Sequence, residues 1–165
     1  MTISAYPKIT IVTPSFNQGL FLEETIRSVA SQGYPKLEYI VMDGGSTDGS
    51  IEIIRKHREN ITFWRSERDA GQSDALRKGF QRASGDILAW LNSDDTLEPG
   101  TLRTVGEYFA AHPDIDLVYG NMNLIDPFAG LIFVITERQL YFVRKIAEGT
   151  LHAIRNFFQL FLRRL

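Results

Sequence analysis

Residues 86–95 read Asp-Ile-Leu-Ala-Trp-Leu-Asn-Ser-Asp-Asp. Ile87 to Leu91 is an unbroken apolar run, as expected of a short strand buried on both faces. Asn92, Ser93 and the acidic pair Asp94 and Asp95 follow at once. A buried strand that ends in carboxylates puts negative charge at the carboxyl edge of a sheet, where open α/β sheets bind ligands. Adjacent carboxylates repel each other unless a cation or hydrogen-bond donors intervene. Hard oxygen ligands suit Mg²⁺ or Mn²⁺, ions that commonly bridge protein carboxylates to substrate phosphates. The same residues also suit a polar turn before a helix starting near Pro99, with Asp95 or Thr96 as its cap. Taken alone, the stretch leaves both readings open.

On either side of it the chain alternates strand and helix. Lys8 to Thr13 is rich in β-branched residues and predicts a first strand, ended by Pro14, which lacks the N–H that a central ladder requires. Leu20 to Gln32 shows helical spacing. Leu37 to Met42 predicts a second strand, running into Asp43, Gly44, Gly45, Ser46, Thr47 and Asp48. Asp43 there is either a turn residue or a carboxylate at the sheet edge. Asp48 suits the N-cap of a helix reaching His57. A third strand is predicted over Ile61 to Arg65 and a third helix over Ser73 to Ala83, with Asp74 placed to favour the helix dipole. After the central strand come a helix over Pro99 to Ala110 and strands over Asp116 to Tyr119 and Ile132 to Ile135.

Strands joined by helices pair in parallel through right-handed crossovers. The expected fold is therefore a single α/β domain with a mainly parallel sheet and helices on both faces. Its carboxyl edge would gather Asp43, the Asn92 to Asp95 cluster and Asn121. The glycine fingerprint of dinucleotide sites and the P-loop signature are both missing. Phosphates would then have to be held through a cation and not in a glycine cradle.

Composition narrows the classes. The 165 residues suit one domain, and the net charge of −2 does not favour nucleic acid as a partner. The sequence has no cysteine, which excludes disulfides, thiolate metal sites and thiol nucleophiles and fits a reducing, cytoplasmic setting. The first residues lack the basic, apolar and small-residue pattern of an export signal. No apolar run approaches the ~20 residues of a spanning helix. Residues 137–165 differ from residues 1–136: they carry six basic side chains against two acidic ones. In a helix, Ala147, Leu151, Ile154, Phe157, Phe158, Phe161 and Leu165 would share one face. This basic amphipathic tail is expected to dock on the sheet, to lie at a membrane surface, or to form a dimer contact.

Four segments carry a resemblance: Ile-Val-Thr-Pro-Ser-Phe-Asn at 11–17, Val-Met-Asp-Gly-Gly-Ser-Thr-Asp-Gly at 41–49, Ala-Ser-Gly-Asp-Ile at 83–87 and Leu-Asn-Ser-Asp-Asp at 91–95. In this order and spacing the chain resembles family 2 glycosyltransferases of the GT-A, Rossmann-like fold. The resemblance implies a nucleotide-sugar donor, usually a UDP-sugar, a divalent metal (Mg²⁺ or Mn²⁺), and a glycan or lipid-linked acceptor in polysaccharide biosynthesis. It implies that Thr13, Pro14 and Phe16 lie near the base, that Asp43 accepts from the uracil, that Asn92 takes the ribose-side position of the family's Asp-x-Asp motif, and that Asp94 ligates the metal. The chemistry agrees. An imide N–H suits a carboxylate acceptor, an aromatic ring suits a flat base, and a cation stabilises a departing diphosphate. Arg65 or Arg68 could assist.

The sequence departs from the family in two ways. Asn92 stands where Asp is usual. The acceptor-binding segment with its catalytic carboxylate, the general base of an inverting displacement, has no counterpart; after Asp126 only Glu137 and Glu148 remain. A catalytically silent nucleotide-sugar-binding module, or one that needs a partner, is the alternative reading. A nucleotidyltransferase is a third.

Overall fold

The computed structural model describes residues 6–126 and 130–144. Strands β1 (Ile9–Ser15), β2 (Leu37–Asp43), β3 (Phe63–Ser66), β4 (Ile87–Trp90), β5 (Leu117–Asp126) and β6 (Gly130–Arg144) form one sheet in the order β3-β2-β1-β4-β6-β5. Helices α1 (Leu22–Ala30), α2 (Ser50–Lys56), α3 (Gln72–Arg82) and α4 (Thr101–Ala111) connect the strands. β3, β2, β1 and β4 are parallel, whereas β6 runs antiparallel to β4, and β5 to β6. The single α/β domain with helices on both faces is therefore present.

Strand alternation divides the core in two. Ile9 and Ile11 of β1, Tyr39 and Val41 of β2, and Ile87 and Ala89 of β4 face α1, α2 and α4. Val12, Ile40, Met42, Leu88 and Trp90 face α3. Both faces of β1, β2 and β4 are thus apolar, which explains the continuous hydrophobic runs. α3 lies very close to β1: a Cβ on Gly79 would stand 2.4 Å from Val12 Cγ1.

Several boundaries differ from expectation for identifiable reasons. β1 continues through Pro14, which pairs with Met42 of β2. On its other side β1 pairs with β4 only as far as Val12 opposite Trp90, and the Val12 carbonyl accepts from Leu91 N–H at 3.0 Å. In a parallel ladder alternate residues bond to opposite neighbours, so Pro14 points its missing N–H to the side where β4 has already ended. The N-cap of α2 is Gly49 at φ +94°, and Asp48 caps from one residue further out. Its Oδ1 accepts from Ser50 N–H at 3.1 Å and Ser50 Oγ at 2.6 Å. α4 starts after Gly100 at φ +83°, so neither Asp95 nor Thr96 caps it.

The largest departures lie at the end of the chain. Asn121 is interior to β5, not at a strand end. The boundary expected between residues 136 and 137 falls inside β6, so residues 137–144 are strand. Arg144, one of the six basic residues of the expected tail, closes α4 instead. Its guanidinium donates to the carbonyls of Phe109 (2.9 Å), His112 (3.2 Å) and Ile115 (3.0 Å). A cation at a helix C-terminus satisfies the last carbonyls and opposes the dipole. The helix expected over 146–165 lies outside the described residues.

Candidate functional site

The parallel strands all end at one edge, and a cavity of about 620 Å³ opens there. That volume lies in the range of small-molecule sites. Its wall takes Pro14, Ser15 and Phe16 from the end of β1, Gly44 from the end of β2, Arg68, Asp69 and Gly71 from the loop into α3, Gln72 from the start of α3, and Asn92, Ser93 and Asp94 from the end of β4. Residues 14 to 94 thus meet because the crossovers return every strand to the same edge.

Of the six expected site residues, Pro14, Phe16, Asn92 and Asp94 line the cavity. Thr13 and Asp43 lie behind the wall, 0% and 2% exposed. Thr13 Oγ1 accepts from the Tyr39 hydroxyl at 3.1 Å. Asp43 Oδ2 accepts from Gly45 N–H (3.1 Å), Ser46 N–H (3.0 Å) and Ser66 Oγ (2.6 Å), while Oδ1 accepts from Ser46 Oγ. Four internal donors thus point at this carboxylate, three at Oδ2 and one at Oδ1, the bonding of a turn residue.

The carboxylate that does reach the cavity beside Asp43 is Asp69, a residue of the polar loop after β3 that no motif in the sequence singles out. It lies against Gly44: a Cβ there would stand 3.0 Å from Asp69 Oδ2. Its Oδ1 accepts from Gly71 N–H at 2.8 Å. The one signal in the chain is its place just after β3, at the same sheet edge as the other candidates. Asp74 is engaged otherwise. It bonds Arg77 at 2.6 Å and Lys78 at 3.0 Å, and these cations, Arg77 first, hold its carboxyl at about 2. Arg65 is paired with Glu67 at 2.7 Å. Arg68 faces the cavity.

At the β4 end, Asn92 uses both halves of its amide. Its Oδ1 accepts from Gln72 Nε2 at 2.8 Å and its Nδ2 donates to Asp95 Oδ2 at 3.0 Å. Burial pushes the Asp95 carboxyl up; the Asn92 amide opposes this and the Asp94 charge adds to it. An acid at position 92 would stand within hydrogen-bond reach of Asp95 and repel it. The amide therefore suits a site that already holds two carboxylates. Asp94 itself is exposed on the cavity wall. Among the described residues no group of three or more His, Asp or Glu side chains is placed to hold a metal ion, so these residues provide no closed metal cage. One exposed carboxylate with open positions around it does fit Mg²⁺ or Mn²⁺, which usually bind through one or two carboxylates plus substrate phosphates. No helix among the described residues is long and apolar enough to cross a membrane.

Comparisons with known proteins identify the family and the fold. A putative teichuronic acid biosynthesis glycosyltransferase of Bacillus subtilis, TuaG, is 36% identical over 105 residues, 62% of this chain and 42% of its own. A PGL/p-HBAD biosynthesis glycosyltransferase of Mycobacterium bovis is 33% identical over 122 residues, 72% of this chain and 48% of its own. The chain thus spans less than half the length of these relatives. Among solved structures, S. aureus TarS 1–349 in complex with UDP-GlcNAc superposes with a TM-score of 0.66 at 22% identity, over 76% of this chain and 37% of TarS. The mannosyltransferase PcManGT of Pyrobaculum calidifontis, in complex with GDP-Man and Mn²⁺, gives 0.62 at 24%, over 76% and 37%. At that identity the likeness is one of fold, the GT-A fold. The sequence model of glycosyl transferase family 2 matches residues 10–160, nearly the whole chain and every strand that ends at the cavity, and on that match the chain belongs to glycosyltransferase family 2.

Proposed function

We propose that this chain is the donor-binding part of a glycosyltransferase that takes its sugar from a nucleotide-sugar, a UDP-sugar in our reading. The observation that carries the proposal is the division of the cavity. An exposed aromatic, Phe16, and the Asp69 carboxylate lie at the β1 and β3 side, and the Asn92 to Asp94 segment lies at the β4 side. A flat base with an imide N–H suits the first group, by stacking and by donation to a carboxylate. In this assignment Asp69 takes the role that the family resemblance gave to Asp43. Asn92 lies on the ribose side.

Asp94 would hold a divalent ion at the diphosphate. When bound, such an ion offsets the negative charge that grows on a diphosphate as it leaves. Arg68 supplies a guanidinium to the same cavity and would add to that stabilisation. Asp95 is half-buried beside Asp94 and is held by the Asn92 amide at 3.0 Å. Relatives support the donor class: TarS was solved with UDP-GlcNAc and PcManGT with GDP-Man and Mn²⁺. The acceptor in our reading is a glycan or a lipid-linked sugar, and displacement would invert the anomeric centre.

Calorimetric titration of UDP with and without Mn²⁺ tests the proposal. UDP should bind more tightly with Mn²⁺, and Asp94→Ala should abolish that difference. A ligand that binds only the folded protein must also raise its melting temperature. Identical UDP affinity with and without the ion would remove the metal from the site, and no UDP binding under either condition would overturn the donor reading.

A further inference from the structure

Asp43 and Asn17 flank the cavity without a place in the reading above, and their bonds converge on one buried hydroxyl. Ser46 is 6% exposed. Its Oγ donates to Asp43 Oδ1 and accepts from Asn17 N–H at 2.8 Å. Asn17 stands at φ +52°, a left-handed conformation that Asn tolerates better than most residues. Its Oδ1 accepts from Thr47 N–H at 2.9 Å. Two residues on, Gly19 N–H donates to Asp48 Oδ2 at 2.7 Å. The loop after β1 is thus tied at three points to the loop after β2. The residue before the first tie is Phe16, which is 60% exposed and lines the cavity.

The direction of these bonds is determined by the backbone. The Asn17 N–H can only donate, so the Ser46 hydroxyl turns a lone pair toward it and gives its proton to Asp43. We infer that Asp43, Ser46 and Asn17 form a positioning relay that holds the Phe16 ring as the preset wall of the base site. The inference rests on the nucleotide reading for its benefit. A ring held in place before the base arrives avoids the entropy of ordering a loop on binding. It also explains why the carboxylate at the end of β2 is buried and bonded internally although it lies next to the cavity. Asp43 acts on the ligand through Ser46 and the loop backbone. Phe16 makes the contact.

Ser46→Ala is the decisive variant, because Ser46 is buried and is not part of the cavity wall. Uridine and UDP with Mn²⁺ are titrated into the native chain and the variant. 4-Fluorophenylalanine at position 16 reports ring order by ¹⁹F linewidth in the absence of nucleotide. Ser46→Ala should weaken uridine and UDP by the same factor, roughly 3- to 30-fold, and the fluorine signal should change toward that of a mobile ring. Asn17→Asp keeps the acceptor and the left-handed preference and should bind like the native chain. Asn17→Leu loses both and should bind at least as weakly as Ser46→Ala. A purely structural role would lower the melting temperature but leave the nucleotide affinity and the fluorine signal of the folded protein unchanged, and that result overturns the relay. Should Ser46→Ala not fold, the Asn17 pair, on a loop residue outside the core, decides the question by the same two readouts. If the native chain takes up neither uridine nor UDP, the nucleotide reading falls, and the fluorine signal still decides whether Ser46 holds the ring.

Discussion

Asp69→Asn separates base recognition from simple occupancy of the cavity. The substitution keeps the size of the side chain and one acceptor. The bond from Gly71 N–H to Oδ1, 2.8 Å long, can survive, and so can the turn into α3. What changes is the second oxygen, the one 3.0 Å from a Cβ built on Gly44. It becomes an NH₂ donor. Uracil offers an imide N–H to that position and cytosine offers a ring-nitrogen acceptor, so the change should exchange one preference for the other. A hydrogen bond to a charged group is worth about 1.5–3 kcal/mol, or roughly 10- to 150-fold in Kd. UDP should weaken by that factor and CDP should tighten, with the crossing of the two affinities as the signature. Isothermal titration of both nucleotides in Mn²⁺, on native and variant chains of equal melting temperature, reads the effect. Parallel weakening of UDP and CDP would show that Asp69 only shapes the loop. Unchanged binding of both would place the base elsewhere in the cavity.

Two further outcomes concern stability. Glu38 is buried beneath the sheet end opposite the cavity. Burial pushes its carboxyl up, but the Ser84 amide and hydroxyl, Thr10 and Lys8 outweigh this and hold it at about 2. Because the folded value lies below the ordinary value of 4.5, its contribution is complete above that pH and is lost as the pH falls toward 2. Glu38→Gln should therefore destabilise the protein at pH 7 and flatten the acid limb of its pH–stability curve; a limb of unchanged slope in denaturant titrations would contradict the assignment. Gly79→Ala drives a methyl group to 2.4 Å from Val12 Cγ1 and 3.3 Å from Met42 Cγ. Overpacking of this kind costs about 1–3 kcal/mol, so the melting temperature should fall, and an unchanged value would mean that α3 can shift away from β1 freely.

Most of the architecture was legible in the residues. Apolar runs at Ile9 to Val12, Tyr39 to Met42 and Ile87 to Leu91 alternate with helical spacing, and right-handed crossovers leave few ways to arrange such a chain. The acidic cluster after β4 was legible for the same reason: a polar group directly after a buried run must emerge at the sheet edge. Pro14 misled because its missing N–H matters only on the side where a neighbouring strand still runs, and where β4 ends relative to β1 is a matter of register. β5 and β6 are both longer than their apolar spacing suggests, since an antiparallel return to β4 is a long-range contact that local spacing does not encode.

The division between Asp43 and Asp69 shows what tertiary structure alone decided. Both are carboxylates at strand ends, and a linear pattern gives Asp43 the stronger claim because glycines follow it. In the fold, Ser46, Gly45 and Ser66 direct their donors at Asp43 and bury it, whereas Asp69 lies over the bare backbone of Gly44 and faces the cavity. Residue type and spacing determined that carboxylates would gather at one edge, because the strand period and the crossover rule act locally. Gly45 and Ser46 reach Asp43 from two and three residues along the chain, but the Ser66 donor from β3 and the approach of Asp69 to Gly44 are placed only by the packed chain.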